Sequence, residues 1–138
     1  MPRFLGIDHG SKRIGLAVSD PDATLASPLT TIVASGDLSD QVAAVLTCAR
    51  DYEIDAFVVG LPLNMDDSEG NQAKSVRRFG AELQRASGKP VHYWDERLSS
   101  LAAEELLRPA DLTRKKRKAR LDRVAAQLML QDFLDDRS

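Results

Sequence analysis

Three acidic positions stand where a carboxylate is costly. Asp8 closes an unbroken apolar run, Phe4-Leu5-Gly6-Ile7, and is followed by Gly10. Strand residues alternate faces, so this run sets the Asp8 carboxyl at the carboxyl edge of a sheet. A turn-forming Asp bonding the backbone ahead of Gly10 is the plainer alternative. Asp122 is more informative. At roughly 100° per residue, Ala126, Met129 and Phe133 fall at about +40°, −20° and +20° from it. Asp122 therefore occupies the first turn and the centre of a helix's apolar face. A carboxylate there costs several kcal/mol unless it is paired or ligates a metal. The competing accounts are an acid favoured by the helix dipole or an ion pair with a neighbour such as Arg120. The third position is the pair Asp95-Glu96, which follows a short strand ending at Trp94; either acid can face inward, with Arg97 as a local counter-ion. Acids converging from strand ends and a helix repel one another at neutral pH. Hard divalent cations relieve that repulsion, because Mg²⁺ and Mn²⁺ prefer oxygen ligands. A carboxylate cluster holding two such ions points to phosphate-ester hydrolysis.

The elements that must position these acids follow from the apolar pattern. Arg3 to Asp8 and Arg13 to Ser19 read as strands joined by the turn His9-Gly10-Ser11-Lys12, an antiparallel hairpin. Ala23 to Val33, interrupted by Pro28, reads as an edge strand. Asp37 to Asp51 has Leu38, Val42, Val45 and Ala49 at helical spacing. Ala56 to Val59 is a compact apolar run ending in Gly60, the mark of a buried parallel strand. Glu69 to Ala86 is a helix with Ala73, Val76, Gly80 and Leu83 on one stripe. Val91 to Trp94 is a short strand, with Tyr93 and Trp94 in or near the core. Ser99 or Ser100 caps a helix to about Arg108, which Pro109 ends. Leu121 to Asp135 is the last helix, and its small Ala125 and Ala126 allow a close approach to the sheet. The fold class is α/β: a mixed five-stranded sheet, three antiparallel strands then parallel strands, flanked by helices. Chemistry in such sheets collects at the carboxyl ends of the strands.

Charge is balanced overall but not along the chain. There are 19 basic and 21 acidic residues, a net charge of −2. Six of the basic ones, Arg114, Lys115, Lys116, Arg117, Lys118 and Arg120, lie in one stretch without an acid. The 19 basic residues less these six leave 13 against 21 acids elsewhere. Such a run is either a solvated loop or a phosphate-binding patch that draws nucleic acid by counterion release. With 138 residues the expectation is a single domain spanning 1–138. The lone Cys48 excludes an intramolecular disulfide and a cysteine-based zinc site. No apolar run reaches the length of a membrane span, and the amino terminus lacks the apolar region of a signal peptide. A cytoplasmic location without membrane association is expected.

Four segments carry a family resemblance. Gly6-Ile7-Asp8-His9-Gly10-Ser11-Lys12-Arg13-Ile14-Gly15-Leu16-Ala17-Val18-Ser19-Asp20 resembles the opening motif of the YqgF/RuvX family. Val58-Val59-Gly60-Leu61-Pro62-Leu63-Asn64-Met65 with Ser68-Glu69-Gly70 resembles its central motif. Asp95-Glu96-Arg97-Leu98-Ser99-Ser100 resembles the third, and Asp122-Arg123-Val124-Ala125-Ala126 with Leu130-Gln131 the last. These occur in the family's order and span nearly the whole chain.

The resemblance implies an RNase H-like fold and a metal-dependent nuclease, with Asp8, Glu96 and Asp122 as catalytic acids holding Mg²⁺ or Mn²⁺ in a two-ion site. It thereby selects Glu96 over Asp95. Two activities go with the family: 5′-end processing of the 16S ribosomal RNA precursor, and resolution of Holliday junctions. The implied partners are structured RNA, with ribosome association, or branched DNA, for which paired cuts require a homodimer. In such a nuclease Lys12 and Arg13 contact the scissile phosphate or its neighbours. Residues 60–64 form a rigid loop over the site with Asn64 touching the backbone, and Arg97 either neutralises the acids or grips a phosphate. The Arg114–Arg120 run binds nucleic acid as a loop that orders on it.

Two positions depart from the family pattern: His9, where relatives often carry an aromatic residue, and Asp67, where they often carry Gly. His9 is expected to pack or face the surface rather than tune a metal-bound water. Asp67 adds an acid that could repel phosphate or serve as a ligand.

Two other classes of function compete with this one. Asp8-His9-Gly10-Ser11 also fits the phosphate-cradling turn of the actin–hexokinase superfold, but that architecture needs two such domains. A non-catalytic RNA- or ribosome-binding module would use the basic run alone.

Overall fold

The computed structural model describes residues 2–64, 66–95 and 114–137, the side chains of 114–122 excepted. In chain order the elements are β1 (Phe4–His9), β2 (Arg13–Ser19), β3 (Ala26–Val33), α1 (Leu38–Ala49), a 3-10 turn (Arg50–Tyr52), β4 (Ala56–Leu61), α2 (Asn71–Ser87), β5 (Val91–Asp95) and α3 (Arg114–Arg137). The five strands form one sheet in the order β3-β2-β1-β4-β5. β1 pairs antiparallel with β2, and β2 with β3; β1 pairs parallel with β4, and β4 with β5. The helix expected near Ser99–Arg108 lies outside the described residues.

Strand alternation sends two residue sets to opposite faces. Leu5, Ile7, Ile14, Leu16, Phe57 and Val59 pack beneath α1 and α2 with Val42, Val45, Val76, Phe79 and Leu83. Phe4, Ala17, Ala56 and Val58 pack beneath α3 with Ala126, Met129, Leu130 and Phe133. All six residues of β4 are buried, as a strand covered on both faces requires. Trp94 packs on the α3 side and Tyr93 on the other.

Local chemistry explains where the elements begin and end. The third strand starts at Ala26 rather than Ala23, because the Asp20 carboxylate ties the preceding turn. It accepts from Thr24 N at 2.7 Å, Thr24 Oγ1 at 2.7 Å and Leu25 N at 3.1 Å. These bonds hold the Asp20 carboxyl below its ordinary pKa, Thr24's hydroxyl contributing most. Pro28 sits at a register shift opposite Leu16/Ala17, where a missing N–H is least costly. Asp37 and Asp40 form a reciprocal capping box on α1. Helix α2 begins two residues later than the apolar stripe suggests, since Glu69 is held in an isolated bridge to Leu63 and an ion pair to Arg77.

The sheet face under α3 is built from small residues. A Cβ on Gly6 would lie 2.9 Å from Leu130 Cβ and 3.3 Å from the Ala126 carbonyl oxygen, so the helix backbone rests directly on β1. Two glutamines fasten the same helix to the start of β3. Gln131 Oε1 accepts from Ala26 N at 2.8 Å and its Nε2 donates to Thr24 O at 2.9 Å, while Gln127 Nε2 donates to Ala26 O at 3.2 Å. Gly6→Ala is expected to lower unfolding free energy by about 1–3 kcal/mol, the usual cost of overpacking, as read by urea denaturation. Wild-type stability in that variant would show that α3 is not seated on Gly6.

Candidate active site and nucleic-acid face

Asp8 is the fifth residue of β1 and is half-buried. It shares the α3 side of the sheet with Phe4 and Gly6. Directly across the β1–β2 pair stands Gly15. On the other flank, Ile7 is level with Val59, so the next step along both parallel strands brings Asp8 level with Gly60. Gly15 and Gly60, the strand residues level with Asp8, carry no side chain of their own.

The helix brings a second position to the same place. Phe4 and Phe133 have ring centroids 5.2 Å apart, and Gly6 meets Ala126 and Leu130, so α3 runs antiparallel to β1. From the Gly6–Ala126 contact, Asp8 is about 7 Å further along the strand. Position 122 is about 6 Å further along the helix, one turn before Ala126. Strand and helix therefore deliver Asp8 and residue 122 to the same level. Ala126 and Met129 are fully buried and Phe133 nearly so, as the helical spacing around Asp122 predicts. Glu96 and Arg97 lie outside the described residues.

The turn beside Asp8 is tight. Gly10 N donates to Arg13 O at 2.9 Å, and a Cβ on Gly10 would stand 2.8 Å from that oxygen. Lys12 is exposed at its tip. Arg13 is half-buried and alternates onto the same face as Gly15 and Ala17. It is thus a diagonal neighbour of Asp8, within reach of a long side chain. His9 points the other way. It is 9% exposed, shares a 2.9 Å hydrogen bond between Nε2 and the Gln41 side-chain Oε1, and its ring centroid lies 4.5 Å from that of Phe79. His9 is a packing residue of the opposite face.

The loop after β4 is rigid for reasons visible in its bonds. Asn64 N donates to Ser68 O and Asp67 N to Asn64 O, each at 2.9 Å, and Asn64 Nδ2 donates to Ser68 Oγ at 3.0 Å. Asp66 accepts from Ser68 N and Oγ, bonds that hold its carboxyl below the ordinary range. The side-chain N–H of Asn64 thus serves the turn. Asp67 has φ +69°, a left-handed backbone that glycine adopts freely and Asp tolerates better than most L residues. The departure from Gly at this position thus meets the conformational demand that Gly meets.

The basic run differs from its expected form. It is the start of α3, which begins at Arg114 instead of Leu121. No acid occupies the first turn of this helix, whereas Asp132, Asp135 and Asp136 lie near its end. Both choices oppose the helix macrodipole, and like charges at i,i+3 and i,i+4 add repulsion. The amino end of α3 is therefore a concentrated positive pole. Sequence patterning did not reveal the glycine floor or the Gln127 and Gln131 fastenings, because both depend on pairings distant in the chain.

A mixed five-stranded sheet with an acid at its carboxyl edge, approached by the amino half of a helix, is the layout of an RNase H-like fold. Solved structures agree on that fold. Thermus thermophilus RuvC in complex with Holliday junction substrate matches with TM-score 0.56 and 17% identity over 99% of this chain and 96% of that one. The fowlpox virus Holliday junction resolvase matches with TM-score 0.58 and 14% identity over 99% of each. The chain belongs to the RuvX family, whose model, described as Holliday junction resolvase, matches residues 2–136. A Moorella thermoacetica protein named "Putative pre-16S rRNA nuclease" is 46% identical over 133 residues, covering 96% of this chain and 94% of the relative. One of the same name from Anaeromyxobacter dehalogenans is 46% identical over 136 residues, 99% and 98% of the two chains.

Asp67→Val is expected to cost about 1–2 kcal/mol through left-handed strain, with Asp67→Gly costing less, in a thermal denaturation series. Equal losses in the two variants would remove backbone strain as the reason.

Proposed function

We propose that this protein is a metal-dependent endonuclease that hydrolyses nucleic-acid phosphodiesters, processing the 5′ end of the 16S ribosomal RNA precursor. The observation that supports it most is the meeting of Asp8 and helix position 122 at a glycine-floored sheet edge in a chain of this family. The donor set suits a hard cation: Asp8, Glu96 and Asp122 would hold Mg²⁺ or Mn²⁺, in a two-ion site, through carboxylate oxygens. Bound there, the ions supply a water of lowered pKa and positive charge for the phosphoryl and leaving oxygens.

The chain's other residues bind and orient. Arg13, on the Asp8 face, and Lys12, at the turn, neutralise phosphates next to the scissile one. Arg97 follows Glu96 directly and would act at the same edge, while the rigid Asn64 turn borders it. Arg114, Lys115, Lys116, Arg117, Lys118 and Arg120 add a sequence-independent grip from the positive pole of α3, drawing the backbone towards position 122. Aromatic residues make up only 5% of the chain, so electrostatics rather than base stacking dominates that grip.

The RNA reading is favoured by the relatives of 46% identity that cover the chain and carry the precursor-rRNA name. A second reading, Holliday junction resolution on branched DNA, is favoured by the family model's description; it requires a homodimer. Ribosome association and a cytoplasmic location go with the first. No helix among the described residues is long and apolar enough to cross a membrane.

The test is cleavage of end-labelled 16S precursor RNA and of a four-way DNA junction with Mg²⁺, Mn²⁺ or EDTA. Metal-dependent cuts at the precursor's 5′ end are expected from wild type, reduced to the EDTA background in Asp8→Asn and Asp122→Asn. Symmetric junction cuts alone would establish the second reading. Cleavage undiminished in Asp8→Asn would overturn the catalytic assignment, and tight RNA binding without cleavage under any metal would make the protein a binding module. Replacing Lys115, Lys116 and Arg117 with Ala should flatten the slope of log affinity against log salt by about 0.7–0.9 per lost phosphate contact. An unchanged slope would take the run out of the interface.

A further inference from the structure

On the sheet face opposite Asp8, the turn after β1 and the amino ends of α1 and α2 line an open cavity of about 520 Å³. That volume falls within the range of small-molecule sites, roughly 300–1,000 Å³. The nuclease reading uses none of its lining. Leu38 and the His9 ring give it apolar surface, and Gly10 contributes backbone without a side chain. His9 is fixed by Gln41 and Phe79, so this wall is preformed. Asn71 and Gln72, on the first turn of α2, supply exposed amides that both donate and accept. Arg78 stands two turns along the same helix.

The electrostatics favour an anion at one end only. The cap residue of α2 is Gly70, which has no side chain to bond the first N–H groups, and no acid occupies the first turn. The helix therefore presents its first backbone donors and the positive end of its dipole to the cavity, and Arg78 adds a cation further along the same wall. An apolar wall, amides able to match a base edge, and a cationic end together fit one ligand class: a nucleotide whose base is unpaired. A base inside a duplex cannot present its face and edge to such a cavity, whereas an unstacked one can.

We propose that this cavity holds an unpaired nucleotide of the substrate, next to the phosphate aligned at Asp8, and so directs the enzyme to junctions of paired and single-stranded nucleic acid. Continuity supports this. Asp8, His9 and Gly10 are consecutive, and the acid and the cavity lie on opposite faces of one strand end. A single strand crossing the exposed turn at Ser11 and Lys12 reaches both. The proposal rests on the nuclease reading for its ligand but not for its measurement.

The test is binding, in EDTA, of two fluorescent RNA hairpins of equal length, one fully paired and one with an unpaired 5′ tail. Wild type should bind the tailed hairpin about tenfold more tightly, the order expected for one accommodated base. Ser75→Tyr, which fills the cavity from its half-buried wall, should abolish that preference and leave the paired probe's affinity unchanged. Gln72→Ala, at an exposed position, should weaken the preference and serves should Ser75→Tyr fail to fold. Equal binding of both probes by wild type, or a preference retained in both variants, would overturn the proposal while Asp8-dependent cleavage still stood. Failure of wild type to bind either probe would likewise overturn the proposal, whereas the nuclease reading is decided by the metal-dependent cleavage assay.

Discussion

The contact between Gly6 and the backbone of α3 is the constraint on which the rest depends. A helix packed on a sheet of ordinary side chains stands about 10 Å away, the spacing that layers of side chains impose. Here Gly6 meets Ala126 and Leu130 on the helix with no room for a Cβ, and the small Ala17 and Ala56 belong to the same packed cluster. Phe133 with Phe4, and Met129 with Leu130, fill the space away from the edge and fix the helix's tilt. The same small residues recur where the site needs space: Gly15 and Gly60 flank Asp8 as Gly6 underlies α3. One compositional choice on one sheet face thus both draws the helix in and places glycines beside the acid.

That arrangement places an unfavourable helix end at the site. The first two turns of α3 hold six like charges at the wrong pole of the dipole, so this segment gains little from its own sequence. The Gln127 and Gln131 bonds to Thr24 and Ala26, with the apolar seam behind them, anchor the helix from its other half. Stability is supplied far from the edge and used near it. Phosphates arriving at the amino end would remove the repulsion among the six cations, so affinity and local order are coupled through one helix.

How much of this was legible in the sequence depends on the range of the interaction concerned. Asp8 and Asp122 stood out because each breaks a local apolar pattern, and periodicity alone placed Ala126, Met129 and Phe133 on one buried face. The mixed five-stranded sheet followed from the hairpin turn and from apolar runs too short for helices. The basic run reads as a loop in the sequence but is helical, because its local charge repulsion is overridden by the packing of the residues that follow. Gly15 and Gly60 could be seen as glycines, yet their place beside Asp8 is set by strand register, which no short window contains. Asp67 shows the opposite case: the residue stands out in the sequence as an added acid, while its left-handed backbone, φ +69°, is visible only in the fold.

The two faces of the β1 end divide the work of recognition. On the α3 side of the β1 end the features suit a backbone phosphate: a carboxylate flanked by glycines, Arg13 diagonal to it, and the positive pole of a helix. On the α1–α2 side the lining suits a base, with amides and an apolar wall but an anion site at one end only. Phosphate contacts position a nucleic acid without reading it, and contacts to an exposed base discriminate. A single strand end presenting both surfaces, joined by the three-residue turn 10–12, is short enough that adjacent parts of one chain meet both. Such a device would recognise where pairing stops rather than which bases are present, a requirement common to a precursor end and to a branched junction.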